Sequence, residues 1–170
     1  GEFVLMEELL EEVGRDAARF TFLTRRHDSP LEFDLAVATR QSADNPVFYV
    51  QYAHARVASL FRTAAQQGIA TPDWAGVDFS SLELPEEQAL IKRVIQFSEV
   101  VTAAAPAREP LRLAYYLTEL AGEFHPYYKA HRIITEDRGS TLARLGLAAA
   151  VGQVVRNGLG LLGVSAPESM

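Results

Sequence analysis

Apolar residues in this chain return at three- and four-residue spacing from end to end, and after residue 5 no stretch sustains an alternation of apolar and polar positions. A side chain comes back to the same face of a helix about every 3.6 residues and to the same face of a strand every two, so this pattern commits the chain to helices. Met6, Leu9, Leu10 and Val13 form the first such stripe, with Glu7, Glu8, Glu11 and Glu12 opposite.

Start and stop signals divide the helices. Gly14 ends the first as a left-handed cap. A second begins at Asp16, with Ala17, Phe20, Leu23 and Thr24 as its stripe and Arg25-Arg26 at its negative end. His27-Asp28-Ser29-Pro30 reads as a loop, because proline disfavours the helical region for the residue before it. Leu31 to Ala43 reads as another helix. Asn45 as cap and Pro46 at the first helical position then open a long helix to about Gln67, closed by Gly68. A loop over 71–81 carries Trp74, read as a lid on the bundle. Pro85 with Glu86 and Glu87 starts the next helix, and Pro106 to Glu109 reads as a turn. Pro110 opens a helix bearing Leu113, Tyr116, Leu117, Leu120, Ala121 and Phe124, with a kink predicted at Pro126. Ser140 or Thr141 caps a last helix to about Leu162, ended by Gly163. The prediction is an all-α bundle entered through a short extended stretch at Gly1–Leu5.

With 170 residues and 48% apolar content, the chain buries roughly 70% of its unfolded surface as one domain. Cysteine is absent, which excludes disulfides, thiolate metal sites and cysteine nucleophiles and suits a reducing, cytoplasmic setting. No apolar run reaches the ~18 residues of a membrane span. The net charge of −6 argues against bulk electrostatic coating of nucleic acid or anionic membrane. That charge is uneven, however: residues 45–72 contain no acid and two arginines, Arg56 and Arg62.

Enzyme signatures are missing. There is no Gly-x-Gly-x-x-Gly, no P-loop, no Gly-x-Ser-x-Gly and no His-Glu-x-x-His. The four histidines, at 27, 54, 125 and 131, read as satisfied or exposed rather than as ligands or bases. The Glu7–Glu12 carboxylates read as a solvated face, since a catalytic acid needs burial or a perturbing neighbour. No catalytic residue and no metal ligand is assigned.

The informative segment is Asn45-Pro46-Val47-Phe48-Tyr49-Val50-Gln51-Tyr52-Ala53-His54-Ala55-Arg56. At helical rotation, Val50, Ala53, Val57, Leu60, Phe61 and Ala64 gather on a core stripe. Tyr49, Tyr52, Arg56 and Thr63 gather about a quarter turn away. Two phenols and a guanidinium on one face suit unstacked bases, with rings for stacking and the cation for a phosphate or base edge. The same spacing also suits boundary tyrosines that Arg56 merely covers. A second cluster, Phe124-His125-Pro126-Tyr127-Tyr128-Lys129 with Arg132, offers more rings and cations, or simply frames the proline.

These residues resemble a known family. Asp16-Ala17-Ala18-Arg19-Phe20, Leu31-Glu32-Phe33-Asp34-Leu35, the run from Asn45 to Arg56 and the closing Asn157-Gly158-Leu159-Gly160-Leu161-Leu162-Gly163-Val164-Ser165-Ala166-Pro167-Glu168-Ser169-Met170 are similar to the C-terminal part of bacterial arginyl-tRNA synthetase, over essentially the whole chain. The resemblance implies a helical bundle of the class I synthetase anticodon-binding type. It implies that residues 1–40 are a connecting segment after the catalytic domain and that 41–170 form the anticodon-binding domain. It further implies arginine tRNA and the missing catalytic domain as partners, and an expected monomer. No cofactor belongs to this stretch; ATP and magnesium belong to the parent ligase, so this stretch alone should be inactive. The family's RNA-binding positions fall on Tyr49, Tyr52, Arg56, Tyr128 and Met170; Ser169 departs from the arginine common beside the chain end. The competing expectation is a helical protein-interaction module, using the apolar flank of residues 1–40.

Overall fold

The computed structural model describes residues 6–26, 28–29 and 33–170, so the expected extended opening, His27 and Pro30, Leu31 and Glu32 lie outside the described residues. Among the described residues seven helices follow in order: α1 Met6–Val13, α2 Arg15–Leu23, α3 Leu35–Ala38, α4 Pro46–Gln66, α5 Pro85–Ala107, α6 Leu111–Ala130 and α7 Arg138–Leu161. A 3₁₀ turn, Trp74–Gly76, sits in the loop before α5. No strand occurs among the described residues, as the spacing predicts.

Helices α4 to α7 make a four-helix bundle. Helix α4 packs on α6 and α7, α5 packs on the same pair, and α2 lies against α4 and α6. Val50, Ala53, Leu117, Leu120, Phe124, Val151 and Leu159 are sealed in the shared core, which also takes Phe20 from α2. Small residues let the helices approach. A Cβ on Gly152 of α7 would stand 2.8 Å from a Val57 methyl of α4, and one on Gly158 would stand 2.6 Å from Leu117 of α6. Trp74 packs edge-on to Phe61 with ring centroids 6.3 Å apart, covering the bundle as expected.

Five local readings are corrected. The helix expected over Leu31 to Ala43 is, in its described part, the single turn α3, capped by Asp34, whose side chain accepts from Val37 N at 3.0 Å. That turn is tied off by Asn45, whose Nδ2 donates to Ala38 O and Arg40 O, each at 2.9 Å. Asn45 therefore holds the cap position of α4, but its side chain makes no capping bond. Helix α5 runs through Pro106 and stops at Arg108, in the left-handed region at φ 54°. A proline that close to a C-terminus removes one hydrogen bond only, and the turn begins after it. Helix α7 is capped by Asp137, which accepts from Ser140 N at 2.7 Å, while the Thr141 hydroxyl accepts from Thr135 N at 2.9 Å. Hydrogen bonds from the Ser140 hydroxyl and then from its backbone N–H, with the Gly139 N–H adding less, draw the Asp137 carboxyl below the usual carboxylate range. Gly14 has the expected positive φ of 80°, but ψ 156° makes it an extended link into α2 rather than a left-handed helical cap.

Candidate nucleic-acid interface

The stripes on α4 separate as their rotation predicts. Val50, Ala53, Val57, Leu60 and Ala64 are buried and Phe61 is half-buried, whereas Tyr49, Tyr52 and Arg56 stand half-exposed at the edge. Those three line an open groove of about 1230 Å³ together with Phe48, His125, Lys129 and Met170. Met170, 52% exposed, closes one side of it. Thr63, on the same helical stripe, points elsewhere: it does not line the groove, and its hydroxyl donates to Ser59 O at 3.0 Å.

The rings adjoin in series. Phe48 and Tyr52 lie nearly parallel, 19° apart, with centroids 5.9 Å apart. Tyr49 approaches the His125 ring at 4.5 Å and Tyr52 approaches it at 5.7 Å. Arg56 lies 4.5 Å from the Tyr52 ring centroid and 5.2 Å from that of Tyr128, so its cation rests between two π faces. Tyr128 thus reaches the site through Arg56 and is not itself a groove wall. Among the described residues no carboxylate pairs with Arg56, in contrast to Arg93, which binds both Glu119 and Glu123.

His125 underlies this arrangement. The guanidinium Nη1 of Arg56 donates to His125 Nδ1 at 2.9 Å, and His125 Nε2 donates to Tyr49 O at 3.0 Å. A guanidinium offers no acceptor and a carbonyl no donor, so the two partners together fix the neutral Nε2–H tautomer. Burial lowers the His125 pKa below its ordinary value; the hydrogen bond to the Tyr49 carbonyl pulls upward against it, and the Arg56 charge adds a smaller downward push.

The C-terminal tail is strapped across α4. Gln51 Nε2 donates to Asp16 at 2.9 Å and to Ser165 O at 3.0 Å, while Ser165 N and Oγ both donate to Asp16. Farther on, His54 Nδ1 donates to Pro167 O at 2.9 Å and Arg62 Nη1 donates to Glu168 O at 3.1 Å. These bonds deliver Met170 to the groove. They also engage Arg62, the second cation of the acid-free window, so Arg56 alone of that pair faces the groove.

The structure brings the expected residues Tyr49, Tyr52, Arg56 and Met170 to one groove, with Tyr128 one layer behind. Sequence reasoning missed His125 as the partner of Arg56, and it missed the latch of Asp16, Gln51 and Ser165. His125 stands 69 residues from Arg56 and Asp16 stands 149 from Ser165, separations that no helical period encodes. Arg132, grouped with the second cluster, lies outside the groove; its carbonyl accepts from Arg144 Nη1 at 2.9 Å.

The profile of the DALR anticodon binding domain matches residues 50–170. The chain belongs to this family. Tyr52, Arg56, His125, Tyr128 and Met170 fall inside the DALR match and Tyr49 stands one residue before it. The chain is 53% identical over 174 residues to an arginine–tRNA ligase of Desulfosudis oleivorans, covering all of this chain and 31% of that protein. An arginine–tRNA ligase of Syntrophotalea carbinolica is likewise 53% identical, again with 100% and 31% covered. The chain thus spans about 30% of the length of the curated relatives it matches. Among solved structures, a putative arginyl-tRNA synthetase from Campylobacter jejuni superposes with TM-score 0.86 at 29% identity over 100% of this chain and 36% of that one. Thermus thermophilus arginyl-tRNA synthetase superposes with TM-score 0.79 at 32% identity, over 99% and 28%. The DALR bundle accounts for the all-helical fold. No helix among the described residues is long and apolar enough to cross a membrane, and no cluster of metal-ligating side chains occurs among them.

Proposed function

We infer that this DALR domain binds the anticodon loop of an arginine tRNA in the groove beside α4, with Tyr49, Tyr52, Arg56, Tyr128 and Met170 as its RNA-binding residues. The observation that carries the reading is Arg56, stacked between two tyrosines and unpaired with any carboxylate among the described residues, at the edge of an open aromatic groove. A base splayed onto an aromatic face gains ~1–3 kcal/mol without a positive field, which suits a chain of net charge −6. The spare N–H groups of Arg56 and the Lys129 ammonium supply donors for phosphate or a base edge.

In this reading residues 41–170 bind RNA and 1–40 lead in from a catalytic domain like that of the relatives. That domain would carry the ATP- and magnesium-dependent attachment of arginine, and anticodon binding would orient the tRNA for it. The assignment supports a cytoplasmic monomer. The test is a titration of this chain with an arginine tRNA and an unrelated tRNA. We expect preference for the former, weakened about tenfold by Tyr52→Ala or Arg56→Ala at unchanged helicity. Equal binding of both tRNAs, untouched by either substitution, overturns it.

A second reading is favoured by one observation: Met6, Leu10 and Phe22 of α1 and α2 are 54%, 39% and 40% exposed. Such a face suits a protein partner. Self-association in sedimentation, abolished by Leu10→Glu, would support an interaction module.

A further inference from the structure

We propose that His125 is the positioning residue that aims Arg56 into the groove, and that it does so only while neutral. The proposal rests on the RNA-binding reading above for its consequence and on the geometry of the free chain for its mechanism.

Arg56 carries a long side chain with several rotamers, and holding one of them needs a fixed acceptor. His125 Nδ1 is that acceptor, at 2.9 Å. The ring is itself fixed: it is 7% exposed, and its Nε2–H is anchored on the Tyr49 carbonyl at 3.0 Å. One imidazole therefore links the tyrosine-bearing turn of α4 to the arginine two turns on. Protonation would add a hydrogen at Nδ1, remove the lone pair that Arg56 uses, and set two cations in contact. The guanidinium would then leave the Tyr52 and Tyr128 faces.

The groups facing the ring give no compensation. From α4 these are Arg56, Tyr49 and Tyr52; on α6 Phe124 adjoins the ring. Lys129 and Asp16 also line the groove, and Asp16 is engaged by Gln51 and Ser165. The lowered His125 pKa agrees with a ring kept neutral at cytoplasmic pH.

Two variants separate the ring nitrogens. His125→Asn puts a carboxamide oxygen near Nδ1 and keeps an acceptor for Arg56 that cannot titrate. His125→Gln reaches the Nε2 position and leaves Arg56 without its acceptor. The experiment follows ¹⁵N signals of His125 and of the Arg56 side chain in the free chain from about pH 8 to about pH 5.5. Titration with an arginine tRNA is then run over the same range.

We expect the Arg56 signals to change in step with His125, and tRNA affinity to fall about tenfold as the ring protonates, the loss expected of a freed cation–π contact. His125→Asn should keep more of the neutral-pH affinity than His125→Gln and show a flattened pH profile, and His125→Gln should bind weakly throughout. Arg56 signals indifferent to His125 protonation overturn the proposal whatever the tRNA does, and need no variant to be folded. An unchanged pH slope in folded His125→Asn overturns it as well. Coupled NMR signals without any tRNA binding would uphold the positioning of Arg56 and overturn the RNA reading.

Discussion

Two arginines in this bundle each bond to a buried polar partner, with opposite outcomes. Arg144 of α7 donates from Nε to Glu87 Oε1 at 2.9 Å, and the Tyr127 hydroxyl donates to the same oxygen at 3.0 Å. Glu87 is wholly buried, and its other oxygen accepts from Leu84 N at 3.1 Å, closing the start of α5. Burial, and then the Glu87 charge, drive the Tyr127 phenol above its ordinary range, so it stays a donor. That cluster satisfies itself and ties α5, α6 and α7 together. Arg56 lies against two tyrosine rings and has a neutral imidazole where Arg144 has a carboxylate. Its charge is therefore positioned without being neutralised. A carboxylate makes the first cluster a brace, and its absence leaves the second open to an anion.

Removing the carboxylate from the closed cluster should produce the largest effect. Glu87→Ala strands Arg144 and the Tyr127 hydroxyl, and breaking a buried pair from one side costs about 3 kcal/mol or more. Urea denaturation should show that loss. Residual folded protein should keep its tRNA affinity, because no member of the brace lines the groove. Placing a carboxylate in the open cluster is the converse experiment. Tyr52→Glu puts an acid one turn before Arg56, the orientation in which an i,i+4 pair forms well. Stability should move by less than about 0.5 kcal/mol. tRNA affinity should fall by the lost stacking, ~1–3 kcal/mol, and by the closed cation as well. Titration calorimetry against the wild type reads both terms.

The two regions were unequally legible in the sequence. The face shared by Tyr49, Tyr52 and Arg56 follows from spacing within one helix, and Pro46 fixes where that helix starts. Core membership of Val50, Ala53 and Val57 follows from the same rotation. Pairing across helices does not. Glu87 reads as a first-turn acid of α5, and nothing local says that Arg144 and Tyr127 converge on it from α7 and α6. His125 reads as one of four scattered histidines until α6 is laid against α4. The misread caps have the same origin. Asn45 and Asp137 are both good capping residues, and only the tertiary position of Ala38 and Arg40 draws the Asn45 amide away from its own helix.

The latch beside the groove sharpens the comparison at smaller amplitude, because it is polar like the brace but serves the open site. Gln51→Ala removes the donor shared by Asp16 and Ser165, a loss of about 1 kcal/mol for a buried hydrogen-bonded amide. The tail should loosen at Ser165 while His54 still holds Pro167. Amide exchange should rise over 164–170 and stay unchanged in α5. tRNA binding should weaken about as much as in Met170→Ala, and the two losses should not add, since both act through the position of the chain end.

Acid provides the mildest way to tell the clusters apart. The folded His125 pKa lies below its unfolded value, so between the two values the unfolded chain binds the extra proton. The neutral ring's contribution is therefore complete above about pH 6.5 and is lost as pH falls through the lowered folded value. Stability should decline on acidification below that point. His125→Asn, which cannot take up the proton, should lose less, so the gap between its urea midpoint and that of the wild type should narrow as pH drops. A gap that stays constant from neutral pH downward would mean that His125 holds Arg56 equally well with or without its second proton. The open cluster would then owe its geometry to the Tyr52 and Tyr128 faces alone.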